Sequence, residues 1–312
     1  MDIAVIGSNM VDLISYIERM PKEGETVEAP NFEMGCGGKG ANQAVAAAKL
    51  GAKVTMLTKV GDDLFGDGTI KNLEHYGIDT EFVKKVPGSS SGVAPIFVDK
   101  ESKNRIIIIK GANQYLSPED IDQAATKLKK CSLIVLQLEI PLETIYYAIQ
   151  FGYKNQIPVI LNPAPASKDL DFNRILTCDY LMPNETELEL LTGLPVQTEE
   201  QVQHAAKMLV DKGLKNVIVT LGQSGVLWMT RNHVQHIKAH KVQATDTTGA
   251  GDAFIGCFAH FITHNYTIEN ALKMATAFAA LSVTKRGTQS SYPTTEDLKQ
   301  FLKERNMLSS SL

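Results

Sequence analysis

The stretch Asp246-Thr247-Thr248-Gly249-Ala250-Gly251-Asp252-Ala253-Phe254 runs three small residues into an acid, and Phe254, Ile255, Phe258 and Phe261 follow at helical spacing. The spacing predicts a glycine turn that feeds a helix at about Asp252. Glycines at 249 and 251 let backbone N–H groups come close to a ligand, and the open amides and positive dipole end of the helix favour an anion such as phosphate. Asp252 then has two readings. As an N-cap or first-turn charge it only stabilises the helix. As a base it takes a proton from a hydroxyl while the amides beside it stabilise charge on a transferring phosphoryl group.

Outward from that turn, the chain of 312 residues is long enough for one large α/β domain. A net charge of -4 gives no electrostatic footprint for nucleic acid. The first apolar run, Ile3 to Ile6, has no basic flank and is too short for a signal peptide, and no stretch reaches membrane-spanning length. Cys36, Cys131, Cys178 and Cys257 are scattered without CxxC pairing, which points to a reducing compartment and a cytoplasmic protein without a zinc site.

Asp2 to Gly7 reads as a buried strand, but no second glycine follows, so a dinucleotide fingerprint is absent. Asp12 is expected just past that strand, as a ligand group or a turn residue. Residues 13–17 and 26–29 look like short strands of a β excursion, and 92–98 and 105–110 supply two more. Between them, Gly35-Cys36-Gly37-Gly38-Lys39-Gly40-Ala41-Asn42 opens an alanine-rich helix that ends near Gly51. It lacks the ending of a P-loop, and is either a ligand loop carrying the charge of Lys39 or a tight turn. From Ser117 onward helices and strands alternate, which predicts a mostly parallel sheet with helices on both faces. Asn184 and Glu187 stand at capping-box spacing and could equally reach a hydrated Mg²⁺. His260 and His264 share a helix face without the glutamate of a zinc hydrolase, which predicts an exposed face; residues 309–312 are expected to fray.

Two long motifs in order make a specific resemblance. Gly37-Gly38-Lys39-Gly40-Ala41-Asn42-Gln43-Ala44, with Gly51 and Gly61, resembles the first signature of the ribokinase (PfkB) carbohydrate kinase family, and Asp246 to Asp252 resembles the second. Asn162-Pro163-Ala164-Pro165-Ala166 and Thr220-Leu221-Gly222 extend the likeness through the chain. The resemblance implies a single Rossmann-like α/β domain over 1–312, a β-sheet lid from about 13–35 and 92–110, and a homodimer joined through the lids. It implies ATP as donor, Mg²⁺, a monovalent cation such as K⁺, and a pentose acceptor. Asp252 would be the base, with Gly249, Ala250 and Gly251 as an anion hole. Asp12, Gly38, Lys39, Asn42 and Glu139 match sugar-contacting positions. Asn184, Thr220, Gly222, Gly225, Gly251 and Thr276 match the nucleotide side, and Glu187 acts indirectly on Mg²⁺. Asp246 and Thr248 match one half of a K⁺ site; Ser282, Lys285, Gly287 and Ser291 match the other.

One departure bears on substrate. In ribokinases the segment after the first strand typically runs Gly-Ser-hydrophobic-Asn-x-Asp, and that Asn helps to bind ribose hydroxyls; here it runs Gly7-Ser8-Asn9-Met10-Val11-Asp12. Asn9 is one residue early, and in extended chain a shift of one faces the side chain the other way. Met10 takes the sugar-facing place with an apolar thioether. A hydroxyl buried there would lose its partner, at about 1–3 kcal/mol, so the expectation is transfer to O5 of 2-deoxy-D-ribose. Ribose phosphorylation, a nucleoside acceptor or a non-catalytic sugar-binding relative are the alternatives.

Overall fold

The computed structural model describes residues 2–101 and 104–305. Residues 309–312 lie outside them. Strand β1 (Asp2–Ile6) is followed by β2 (Met10–Tyr16) and β3 (Asn31–Gly37), which leave the main sheet. Then come α1 (Lys39–Lys49), β4 (Lys53–Gly61), α2 (Leu64–His75) and β5 (Asp79–Val86). A second excursion, β6 (Gly92–Val98) and β7 (Asn104–Ile106), precedes α3 (Pro118–Leu128), β8 (Leu133–Gln137), α4 (Leu142–Asn155) and β9 (Val159–Asn162). The second half adds β10 (Tyr180–Leu181), α5 (Glu185–Thr192), α6 (Glu199–Asp211), β11 (Asn216–Thr220), β12 (Val226–Thr230) and β13 (His233–Ile237). It closes with α7 (Ala250–Thr263), α8 (Ile268–Ser282) and α9 (Thr295–Glu304).

Among the described residues the main sheet has nine strands in the order β13-β12-β11-β10-β9-β8-β1-β4-β5. From β11 to β5 all neighbours are parallel, and β12 and β13 close one edge antiparallel. Side-chain alternation along β1 sends Ile3 and Val5 into one core with Val45, Phe254, Phe258 and Phe278, and Ala4 and Ile6 into another with Ile121, Leu136 and Ile145. Two covered faces explain why β8 and β9 are buried at every residue. Each fully buried large side chain contributes roughly 1.5–3 kcal/mol.

The chain turns from one half of this sheet to the other between the neighbours β1 and β8, the switch point where open α/β sheets leave a crevice beyond the strand ends. Helices α1 and α7 cross one face closely enough that a Cβ on Gly256 would lie 2.5 Å from the Cβ of Ala46. Small residues at that crossing bring the first turn of α7 against the first turn of α1.

The excursions form a separate sheet, ordered β3-β2-β6-β7, with β2 antiparallel to β3 and parallel to β6. It differs from the sequence reading at three places. Residues 26–29 form no strand; β3 starts only after Pro30, whose missing N–H ends the loop, and it runs into the glycine cluster. β2 begins at Met10, so Met10 and Asp12 sit in the strand rather than in a loop. The run at 105–110 pairs as a strand only through Ile106, with Ile109 in a lone bridge to Val93. Two strands of the main sheet are unassigned in the sequence reading: β5 sets Phe82 and Val83 among Asp79, Glu81, Lys84 and Lys85 at an edge, and β10 is two residues long. His260 corrects another expectation. It is half-buried, its Nδ1 finds no partner among the described residues, and burial, then the charge of His264, pushes it down to about 4.

Candidate active site

Gly249 caps α7 in the left-handed region, with φ of 74°. A Cβ there would lie 2.4 Å from Thr288 Cγ2 and 2.7 Å from the Tyr292 hydroxyl, which donates to Gly249 O at 3.1 Å. The turn is therefore packed from behind, while the Cβ position of Gly251 is open. Ala250 N–H turns back to Thr247 O at 3.3 Å, whereas the N–H groups of Gly251 and Asp252 find no acceptor among the described residues. Among the described residues the open amides of the helix start are thus those of Gly249, Gly251 and Asp252, while that of Ala250 is engaged.

Asp252 is buried, and consecutive residues of α1 hold its carboxylate. Asn42 Nδ2 donates to Oδ2 at 3.0 Å and Gln43 Nε2 donates to Oδ1 at 2.9 Å. Facing it, Gly38 at φ 88° ends the glycine cluster and starts α1 at Lys39. The Lys39 N–H donates to Glu139 Oε2 at 2.9 Å, and the Ser8 hydroxyl donates to the same oxygen. Burial opposes the ammonium of Lys39, but Asp252, Glu139, Glu187 and Asp12 outweigh it and hold the lysine above its ordinary value. Burial lifts the carboxyl of Glu139 despite Lys39 and Ser8. Asp12 is pushed up to about 7, by burial first and then by Glu139 and Asp252, with Lys39 opposing. Asp252, Glu139 and Asp12 therefore crowd around the Lys39 ammonium at the switch point, and Glu187 adds its charge from the far side of the sheet ends.

Met10 and Asp12 share one face of β2, and Met10 is 1% exposed. Met10 is paired with Gly37 on one side and Gly92 on the other, and a Cβ on Gly92 would lie 3.0 Å from Met10 Cγ. Asn113 clamps the preceding backbone, accepting from Asn9 N–H at 2.9 Å and donating to Asn9 O at 3.0 Å. The Asn9 side chain is buried with neither amide atom partnered among the described residues.

On the other side of the sheet ends, Asn184 and Thr220 form a bridge. The capping box is realised: Glu187 N–H donates to Asn184 Oδ1 at 2.8 Å and Asn184 N–H to Glu187 Oε2 at 2.8 Å. Glu187 is buried, which raises its carboxyl, and Lys39 opposes the rise. Beyond Thr220, Gly222 and Gly225 adopt φ of 52° and 103°, and a Cβ on Gly225 would strike Ile237 O at 2.1 Å. Thr276 is buried in α8 and spends its hydroxyl on Leu272 O at 2.7 Å. The two halves of the expected cation site meet. Asp246 Oδ1 accepts from Thr248 N–H at 2.9 Å and Oδ2 from Gly287 N–H at 3.0 Å. Ser282 and Ser291 donate to Ala279 O and Thr288 O, while Lys285 is exposed.

Sequence reasoning gave no role to Ser8, Gln43, Asn113, Gln137 or Gln289, all buried polar residues tied to this site. The available signal was an amide or hydroxyl set into an otherwise apolar strand or an alanine-rich helix, where a polar group needs a partner.

An open helix-start anion site facing a buried acid and an ammonium, at the switch point of a parallel sheet, defines a phosphotransferase acting on a hydroxyl. The chain belongs to the pfkB family carbohydrate kinases, which it matches over residues 1–295. It is 64% identical over 302 residues to a deoxyribokinase from Salmonella typhi, covering 97% of this chain and 99% of that protein. A ribokinase from Mus musculus is 40% identical over 300 residues, covering 95% of this chain and 93% of that one. Among solved structures, an Arabidopsis thaliana ribokinase complexed with ribose and ATP is 32% identical with a TM-score of 0.88, covering 96% and 98% of the two chains.

Proposed function

We propose that the protein transfers the γ-phosphate of ATP to O5 of 2-deoxy-D-ribose, giving 2-deoxy-D-ribose 5-phosphate. The observation that carries the sugar assignment is Met10, buried between Gly37 and Gly92 on the face that holds Asp12. A thioether there leaves a hydroxyl without a partner and accepts its absence. The likeness to the Salmonella deoxyribokinase over nearly the whole chain supports the same reading.

Asp12, Asn42, Glu139 and the backbone at Gly38 and Lys39 orient the sugar. Asp252 takes the O5 proton as that oxygen attacks the γ-phosphorus. The open amides of the 249–252 turn and the Lys39 ammonium stabilise the charge that spreads over the phosphoryl oxygens. Asn184, Thr220, Gly222 and Gly225 line the nucleotide side. Mg²⁺ neutralises phosphate charge when bound; the two Glu187 oxygens that cap Asn184 keep lone pairs for its waters. The Asp246 loop and the 282–291 segment, joined through Gly287, supply the oxygen-rich pocket for K⁺.

The second sheet acts as a lid. Its face opposite Met10 and Asp12 exposes Phe32 and Met34 beside Leu13, an apolar surface suited to the same face of a second copy. Incubation with ATP, Mg²⁺ and a panel of pentoses, with NMR location of the new phosphate, tests the assignment. ADP release with 2-deoxyribose and phosphate at O5 is expected. A sugar that raises the melting temperature while no pentose or nucleoside releases ADP would replace the kinase reading with sugar binding alone.

A further inference from the structure

The carboxylate of Asp252 is gripped differently on its two sides. Asn42, on the Oδ2 side, is itself a proposed sugar contact, so bound substrate competes for its amide. Gln43, on the Oδ1 side, faces away from that duty. Its Nε2 donates to Asp252 Oδ1 at 2.9 Å and lies 3.3 Å from Asn162 Oδ1, while its Oε1 accepts from Gln137 Nε2 at 2.7 Å. Gln137, the last residue of β8, is fully buried over Gly7, where a Cβ would lie 2.0 Å from its Oε1. Asn162 is fixed in turn by donating to Met182 O at 2.9 Å. The rotamer of Gln43 is therefore set from strands β8 and β9, and only its N–H reaches the acid.

We propose that Gln43 is the positioning residue of this kinase: it fixes the Asp252 carboxylate in place, while Asn42 is released to the sugar. The inference rests on the assignment of Asp252 as base. A donor at 2.9 Å, itself held at both ends of its carboxamide, fixes the direction in which Oδ1 points. Lys39, whose charge interacts with Asp252, Glu139, Glu187 and Asp12, needs the carboxylate at a fixed place beside it. A base misplaced by about 1 Å loses on the order of 10²-fold in rate.

The test is Gln43→Met, which fills the volume without a donor, and Gln43→Glu, which donates only when protonated. Single-turnover phosphoryl transfer is followed across pH, with sugar affinity by calorimetry and melting temperature as a check on folding. The expected result for Gln43→Met is a fall in the transfer rate of about 10- to 100-fold with sugar affinity within about threefold. Gln43→Glu should recover rate relative to Gln43→Met only toward low pH. A folded Gln43→Met with wild-type rate, or with sugar affinity lost in step with rate, overturns the inference. Asp252→Asn in the same assay keeps the two claims apart: retained transfer in that variant removes the base and leaves Gln43 nothing to position.

Discussion

The Asp12 carboxylate reaches diagonally across the β2–β3 ladder, past its partner Gly35, to cover Gly37, the partner of Met10: a Cβ on Gly37 would fall 2.3 Å from Asp12 Oδ1. The glycine read from the sequence as part of a ligand loop is thus a strand residue whose missing side chain leaves room for a carboxylate. Gly37→Ala should push that carboxylate aside and raise KM for the sugar about tenfold or more, with kcat less affected. Steady-state kinetics at saturating ATP checks this; an unchanged KM would separate Asp12 from sugar binding.

The same Asp12 makes stability depend on pH with a defined sign. Its carboxyl rises from the ordinary 3.8 to about 7 on folding, chiefly through burial. Between those values the native state holds a proton that the unfolded chain has lost, so this contribution falls as pH rises through the window. The melting-temperature advantage of Asp12→Asn over wild type, measured without ligands, should therefore grow from about pH 5 to about pH 8. A constant difference contradicts the buried, charge-crowded environment.

Gly249 and Gly251 separate folding from turnover. Gly249→Ala places a methyl 2.4 Å from Thr288 at a positive φ and should lower the melting temperature as well as the rate. Gly251→Ala meets open space and should leave stability within about 0.5–1 kcal/mol of wild type, while crowding the phosphoryl group and reducing kcat about 10²-fold. Thermal melts beside kinetics read both; undiminished kcat in Gly251→Ala would take the phosphate away from this turn.

Glu187 carries both a cap and a proposed metal role. Gln keeps one of the two acceptors that Asn184 uses and loses the charge, so Glu187→Gln should lower the melting temperature only slightly and raise the Mg²⁺ concentration needed for half-maximal rate. An unshifted Mg²⁺ titration would leave only the cap.

The unpartnered Asn9 amide is buried in the protein, which costs about 1–3 kcal/mol. Asn9→Leu should raise the melting temperature and leave the preference between pentoses unchanged, since Asn9 faces away from Met10. A loss of sugar affinity would show that Asn9 reaches the substrate.

The parallel sheet and its flanking helices were legible, because buried strands and glycine-opened helices leave strong local signals; the grouping of Asp252, Lys39, Asp12 and Glu139 came from the family resemblance and from no local pattern. The second sheet was legible as an excursion but not in its register. Thr26 to Ala29 alternate like a strand and form no ladder among the described residues, whereas Gly35 to Gly37 look like a turn and pair with β2. β5 escaped notice because an edge strand needs few apolar residues. The carboxamides that hold Asp252 were illegible for another reason: Gln43 meets Asp252 across 209 residues, and no local pattern encodes such a contact.

The central claim is that Met10 selects the sugar. The direct measurement is the ratio of kcat/KM for 2-deoxy-D-ribose to that for D-ribose, in wild type and in Met10→Asn. The account predicts a wild-type preference for 2-deoxyribose of about tenfold or more, and a shift toward ribose when the asparagine restores a hydroxyl partner. Wild-type preference for ribose, with the ratio unmoved by Met10→Asn, would contradict it.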